Sequence, residues 1–399
     1  MTNDMKHSFH HASRRQFIGG AAGIAAMGIS GVSAQNLPKA PVTLNIIDVG
    51  GALALVQKPL ENYRAAKPNL VSKMSFTKAP APELPAKIKA MQDAGRVDID
   101  LVLGGLDALS AGIEQNLWIP LFPNYAAALP VPEKIMLKAA LDMHNLGGGQ
   151  GMCMVYYPSG PLLEYIPERV KTPPKSATEL LAWVKQNPNR FFYARPANSG
   201  PGRTFIMGLP YILGDSDPKD PVKGWEKTWA FLKELGQSID YYPTGTGATM
   251  KELGEGSRDM IVSTTGWDIN PRVLGIVPKE AEIQVLEGFH WVSDAQYMFV
   301  PKGVSDDKLA VLLDLISFVM QPQQQAFAYD EGYFYPGPAV KDAPLSMAPA
   351  ASQAAIKEYG RPQYDKLIAE TPIEVPLTPD KLVLAFRRWD EEIGSKKSK

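Results

Sequence analysis

Cysteine is almost missing: Cys153 is the single thiol in 399 residues. One thiol closes no bridge within the chain, even in an oxidising compartment. In the apolar run 151–157 it reads as a small buried hydrophobe. Histidine is scarce too. Of five, His7, His10 and His11 sit near the start, which leaves His144 and His290 distant from each other, each reading as a packed or solvated residue. No HExxH, CxxC, G-x-S-x-G or P-loop occurs. Gly147-Gly148-Gly149-Gln150-Gly151 lacks the G-x-G-x-x-G spacing and opens no helix pattern, so it reads as a loop before the strand that holds Cys153. Carboxylates are too numerous to nominate an acid–base pair. No catalytic residue, metal ligand or cofactor is therefore nominated. An excess of either charge is also missing. Lys plus Arg number 41 against 42 Asp plus Glu, net −1, which excludes a nucleic-acid or membrane-surface binder. After residue 34 no apolar run approaches the roughly 20 residues that span a bilayer.

What is present begins with Ser13-Arg14-Arg15-Gln16-Phe17-Ile18, the S-R-R-x-F-I form of a twin-arginine export signal. A weakly apolar run of about 13 residues follows, too short to span a membrane, and then Val32-Ser33-Ala34, small residues of the kind a signal peptidase reads. The order is that of a cleaved targeting peptide. It predicts export by the twin-arginine translocase, cleavage after Ala34 and a soluble protein in the periplasm. The first 34 residues carry Lys6, Arg14 and Arg15 against Asp4, so the whole-chain charge of −1 leaves about −3 for the rest. A remainder of about 365 residues, with 45% apolar residues in the whole chain, suggests two domains.

From residue 42 strands and helices alternate. Segment 42–49 reads as a strand ending in Gly50-Gly51, 53–66 as a helix, 71–76 as a strand and 83–94 as a helix closed by Gly95. Segment 98–103 reads as a strand ending in Gly104-Gly105, and 106–115 as a helix. This pattern argues for a parallel sheet covered by helices. A second series starts near Pro158, with helices at 177–186, 203–213 and 225–235 and strands at 190–193 and 259–263. A strand at 295–300 and a helix at 308–320 follow. The tail holds two or more helices separated by Pro362, Pro372, Pro376 and Pro379.

Several pieces, in this order, resemble a known family. They are Asp98-Ile99-Asp100-Leu101-Val102 after Gly95-Arg96; Glu114-Gln115-Asn116-Leu117-Trp118-Ile119-Pro120-Leu121; Val155-Tyr156-Tyr157-Pro158-Ser159; Pro173-Pro174-Lys175-Ser176-Ala177-Thr178-Glu179-Leu180; and Val300-Pro301-Lys302-Gly303 followed by Phe318-Val319-Met320-Gln321-Pro322-Gln323-Gln324-Gln325. Together they look like a periplasmic solute-binding protein of an ABC importer, in the broad family of polyamine, iron and thiamine binders. The resemblance covers nearly all of residues 42–340. It implies an α/β, two-lobed periplasmic-binding-protein fold of type II, each lobe a mainly parallel sheet flanked by helices, joined by crossing hinge strands at 154–157 and 296–300. Lobe one would take 40–154 plus 298–345, lobe two 157–295, and 346–399 would form a helical tail packed on the lobes. The implied partners are a small-molecule solute and an inner-membrane ABC permease, with no nucleic acid, and the implied state is a monomer. An exported enzyme on the same fold is the alternative, because fold alone does not fix function.

In such a fold the solute sits at the carboxyl ends of strands. Gly50, Gly51 and Gly105 would offer backbone N–H groups beside helix starts, unless they merely make tight turns. Asp107 follows. Tyr157 stands on the outgoing crossover, and Gln296 and Tyr297 on the returning one. The loop Asn198-Ser199-Gly200-Pro201-Gly202-Arg203-Thr204 places Arg203 in the first turn of a helix, where it opposes the helix dipole but suits an anion. Ser199 and Gly200 join it as candidates. Thr246 offers a hydroxyl. Thr265, Trp267 and Asp268 follow a strand, with a core role for Trp267 as the alternative. The resemblance places an aspartate of polyamine binders at Gln296, and this departure tilts the site from a cationic solute to one with an anionic or strongly hydrogen-bond-accepting group, with the carboxylates of Asp107 and Asp268 left as the alternative for a polyamine. On this reading Arg203→Ala leaves melting of the unliganded protein almost unchanged. Tyr241-Tyr242 resembles the paired tyrosines of iron binders but has no evident partner ligand.

Overall fold

Eleven strands among the described residues build two sheets. The computed structural model describes residues 37–397; the expected twin-arginine signal and the cleavage after Ala34 lie outside the described residues. The strands are β1 (Val42–Asp48), β2 (Val71–Lys78), β3 (Leu101–Gly105), β4 (Met152–Gly160), β5 (Leu162–Tyr165), β6 (Phe191–Phe192), β7 (Met260–Ser263), β8 (Glu282–Gln284), β9 (Trp291–Phe299), β10 (Gly337–Pro338) and β11 (Ile373–Glu374). The first sheet runs β10-β4-β9-β3-β1-β2, with β11 beside β9, and the second runs β6-β7-β5-β8. Helices cover both, which gives the expected two-lobed α/β architecture. Among the described residues no helix is long and apolar enough to cross a membrane.

Both sheets are mixed where the sequence predicts mainly parallel ones. β1 pairs parallel with β2 and β3, but β9 runs antiparallel to both β3 and β4. The cause is the connectivity. The chain leaves the first sheet along β4 and comes back along β9, so the returning strand lies between β3 and β4 and runs against both. Each of these two strands is buried along all nine residues, as central strands covered on both faces must be. That burial explains why β4 reads as an uninterrupted apolar run. The crossings sit elsewhere than the sequence places them. β4 stays in the first sheet to Gly160 and β5 opens the second at Leu162, while β9 is already in the first sheet at Val292. The crossing segments therefore lie near Pro161 and between Gln284 and Trp291, not at 154–157 and 296–300.

Two helices bring charged side chains to the space between the sheets. Leu106–Glu114 starts directly from β3. It is held by Trp118, whose indole is fully buried and donates to Leu109 O at 3.0 Å. Gly112 makes room for that ring, since a Cβ there would lie 2.1 Å from it. Gly200–Leu213 is capped by Ser199, whose hydroxyl accepts from Gly202 N at 3.2 Å, a favoured N-cap arrangement. Gly202 allows approach to Ala194 O, and Gly208 allows approach to Pro161, with Cβ positions 2.2 and 2.4 Å from those atoms. Side chains larger than hydrogen would push this helix off the crossing segment.

The tail packs on the elements around the second sheet. Trp389 Nε1 donates to Tyr193 Oη at 2.9 Å, and Lys233 pairs with Glu392 at 2.6 Å. Arg361 Nε meets Asp268 Oδ2 at 2.9 Å. Beside that pair Glu164, on β5, is fully buried. Burial, with the neighbouring Asp268 adding to it, pushes its carboxyl up to about 8. A raised carboxyl favours the fold while it keeps its proton. Its contribution is complete below the unfolded value near 4.5 and is lost as pH rises through about 8. At about 1.4 kcal/mol per pH decade, Glu164→Gln should be more stable than the parent at alkaline pH by several kcal/mol and nearly equal to it in mild acid. Thermal melting of both proteins across that range checks this, and parallel pH curves would contradict it.

Candidate functional site

The ends of β1 and β3 meet the start of helix Gly200–Leu213 across a cavity of about 50 Å³, room for a few water molecules. Val49, Gly50, Ala81, Gly105, Asp107, Tyr157, Gln296 and Phe334 line it from one side, and Asn198, Ser199, Gly200, Arg203, Thr246 and Trp267 from the other. Gly50 adopts φ +83, a left-handed turn natural to glycine, and this lets the chain turn from β1 towards the next helix beside the cavity.

Arg203 is the centre of the site. It is 2% exposed. Its Nη2 donates to Asp294 Oδ2 at 2.6 Å, and its Nη1 stands 2.9 Å from Asp107 Oδ2 in an ion pair that is not aligned as a hydrogen bond. Burial works against the guanidinium charge, but Asp294 and then Asp107 outweigh it and hold the group above its ordinary value. Tyr157 Oη also donates to Asp294 Oδ2, at 2.8 Å, and its phenol is pushed well up by burial and then by Asp294. The other oxygen of Asp294 accepts from Ala295 N at 2.9 Å. Tyr157 stacks on Phe334 at 4.8 Å between ring centres, and Trp267 meets Tyr333 edge-on at 5.2 Å. Ser199 and Thr246 hydroxyls share a hydrogen bond of 2.8 Å. The amide oxygen of Gln296 and Nε of Arg203 are buried with no partner.

The structure gathers Gly50, Gly105, Asp107, Tyr157, Ser199, Gly200, Arg203, Thr246, Trp267 and Gln296 around one cavity. The other four candidates are elsewhere. A Cβ on Gly51 would run into Tyr333 Oη at 2.4 Å, and the glycine lines a neighbouring cavity with Asp48 and Asp330. Tyr297 donates to Met143 O at 2.9 Å inside the core, because neighbouring residues on a strand face opposite ways and Gln296 faces the cavity. Thr265 is fully buried, its hydroxyl accepting from Ser159 N at 3.3 Å. Asp268 is spent on Gly266 N and on Arg361 of the tail. Asp294, Asn198, Phe334, Val49 and Ala81 are additions. Asp294 was open to a period-two reading from Gln296, which puts both on one face; Phe334 arrives from a segment with no strand-end pattern.

The charge balance of the site differs from that of a lone arginine awaiting an anion. Two carboxylates surround one guanidinium, a net of −1, and an aspartate does stand on the face of Gln296, two residues earlier. Among the described residues no group of three or more His, Cys, Asp or Glu is placed to hold a metal ion.

The family of bacterial extracellular solute-binding proteins matches residues 60–358. No curated protein sequence matches the chain. Solved structures do. The spermidine/putrescine ABC transporter substrate-binding protein PotD of Streptococcus pneumoniae is 14% identical, with a TM-score of 0.58, over 87% of this chain and 99% of that one. The periplasmic binding protein AfuA of Actinobacillus pleuropneumoniae, with fructose 6-phosphate bound, is 16% identical, TM-score 0.61, over 88% and 98%. The apo ferric ion-binding protein A of Pasteurella haemolytica is 15% identical, TM-score 0.60, over 88% and 97%. At such identities the likeness is one of fold.

The burial of Arg203 also reverses the expectation for its removal. Arg203→Ala would strand Asp294, 1% exposed, without its cation, and breaking a buried pair costs about 3–5 kcal/mol. The unliganded variant should melt well below the parent. Unchanged melting in a thermal scan would contradict the pairing.

Proposed function

The chain belongs to the bacterial extracellular solute-binding protein family, and on that premise we propose that it captures a small polar solute in the cleft between its two sheets and hands it to an inner-membrane ABC permease. The observation that carries this reading is the convergence of polar side chains on one cavity from both sides: Asp107, Tyr157 and Gln296 from elements of the first sheet, and Asn198, Ser199, Arg203 and Thr246 from the helices opposite. Neighbours of the same fold include an ABC transporter substrate-binding protein and a ferric ion-binding protein, which supports delivery to a permease as the purpose of capture.

The cavity holds about 50 Å³, less than a whole metabolite needs. A solute would therefore enter by parting of the two sides and be enclosed as they close, a hinge motion about the crossing segments. The closed form, favoured by the solute's better contacts there, is what a permease would select. Binding rather than turnover is supported by the way Arg203, Asp294 and Tyr157 are spent on one another, where general acid–base or nucleophilic chemistry needs such groups aimed at a reacting atom. The signal-like segment around Arg14 and Arg15 supports export through the twin-arginine translocase to the periplasm, with cleavage after Ala34, and the protein acts there as a monomer.

The test is to isolate the protein from its own host, release its contents by heat and identify them by mass spectrometry. One small polar species, recovered chemically unchanged after long incubation with fresh protein, is expected. Conversion of that species during incubation would overturn the reading in favour of an enzyme.

A further inference from the structure

We propose that the solute presents a hydrogen-bond-donating cation to this cleft, that Asp107 receives it, and that Arg203 is a positioning residue that sets this preference. The proposal rests on the solute-binding role set out above and names the class of solute.

The first argument is the direction of the donors. Arg203 Nη2 and Tyr157 Oη both spend themselves on Asp294 Oδ2, and Ala295 N takes the other oxygen. Asp294 is 1% exposed and does not line the cavity. Two of the site's strongest donors thus point inward, away from any solute, although Arg203 Nε and Nη1 keep no hydrogen-bond partner of their own. Acceptors face the cavity. Asp107 carries the only carboxylate among the described lining residues, with 13% of its side chain exposed. It is held by Ala108 N and by the misaligned Nη1 of Arg203, so lone pairs stay open. Gln296 Oε1 is buried without a partner, an arrangement that is costly until a donor arrives.

The second argument is the charge. One guanidinium between two carboxylates leaves a surplus of −1. Arg203 Nε and Nη1 also lack hydrogen-bond partners, but an anion reaching for them meets a net negative site of low dielectric, where repulsion is strong. The aromatic faces agree. Trp267 lines the cavity with the stacked Tyr157 and Phe334, and ring faces attract cations and repel anions. Arg203 sets this polarity from the cavity wall: it neutralises Asp294 and leaves Asp107 as the surplus charge beside the cavity.

The experiment uses small molecules from a host cell extract, separated by ion exchange into cationic, neutral and anionic pools. Each pool is titrated against the full mature protein in a thermal-shift assay. The cationic pool should raise the melting temperature and the anionic pool should not. In Asp107→Asn, compared with its own unliganded melting, the cationic pool should need roughly 10- to 100-fold more material for the same effect, the usual loss for one charge-assisted contact. Asp294→Asn makes the site neutral and frees Arg203 Nη2. Its readout is the pool preference, which a merely structural role would not move, and the anionic pool should now begin to stabilise the protein. Stabilisation of the parent by the anionic or neutral pool alone would overturn the cationic class and leave the binding role standing. Undiminished response of Asp107→Asn would overturn Asp107 as receiver. Failure of every pool would overturn the binding role itself, and this proposal with it.

Discussion

A guanidinium taken out of water must find its counter-charges inside the fold, and Arg203 finds them on two different parts of the chain. Asp294 comes from the returning strand β9, and Asp107 from the first turn of the helix that follows β3. The isolated ion would cost several kcal/mol to bury, so the three side chains must arrive together. That requirement ties the helix Gly200–Leu213 to the first sheet at one spot. The surrounding small residues serve the same placement. Gly202 and Gly208 let the helix close on Ala194 and Pro161, the Ser199 cap fixes where the helix starts, and Gly112 lets Trp118 seat the helix that carries Asp107. The cavity is what remains beside the triad, with Asp107 and Arg203 in its wall.

Much of this was legible in the chain. Apolar strand runs and helix periodicity place most elements of both sheets, and the rule that sites gather at the carboxyl ends of strands leads to Gly50, Gly105, Asp107, Arg203 and Trp267. What was not legible is tertiary. The partner of Arg203 lies 91 residues downstream, and no local pattern announces it. Read locally, an arginine in a first helical turn is a free cation waiting for an anion; in the fold it is already occupied. Asp268 misleads in the same manner, since its cation, Arg361, comes from the tail 93 residues on. Tyr297 and Gln296 differ only in which face of β9 they occupy, and polar residues on both faces, Ser293 on one and Asp294 on the other, leave no clean alternation to mark it. The positions of the crossings were hidden too: β4 and β9 are buried from end to end, so hydropathy does not mark where the chain changes sheets.

The two buried clusters divide the work between them. Asp268, Arg361 and Glu164 fasten the tail to the second sheet, away from the cavity. Arg203, Asp294 and Asp107 fasten the helix to the first sheet at the cavity's edge. Structures with this fold hold fructose 6-phosphate in one case and are named for spermidine and putrescine or for ferric ion in others. A shared backbone therefore leaves the choice of solute to a few side chains at the strand ends. In this chain Arg203, which pairs with carboxylates from two other parts of the chain, stands among those side chains.

The central claim is that Arg203 and Asp294 act as one coupled unit. A double-mutant cycle with Arg203→Met and Asp294→Leu, read by urea unfolding of the unliganded protein, tests it most directly. Arg203→Met strands the buried Asp294, and Asp294→Leu leaves Arg203 with Asp107 alone; the double change removes the Arg203–Asp294 pair together and leaves only the partly exposed Asp107. The account predicts that the double variant is more stable than the sum of the single losses allows, by a coupling energy on the order of 3 kcal/mol. Additive losses would contradict it.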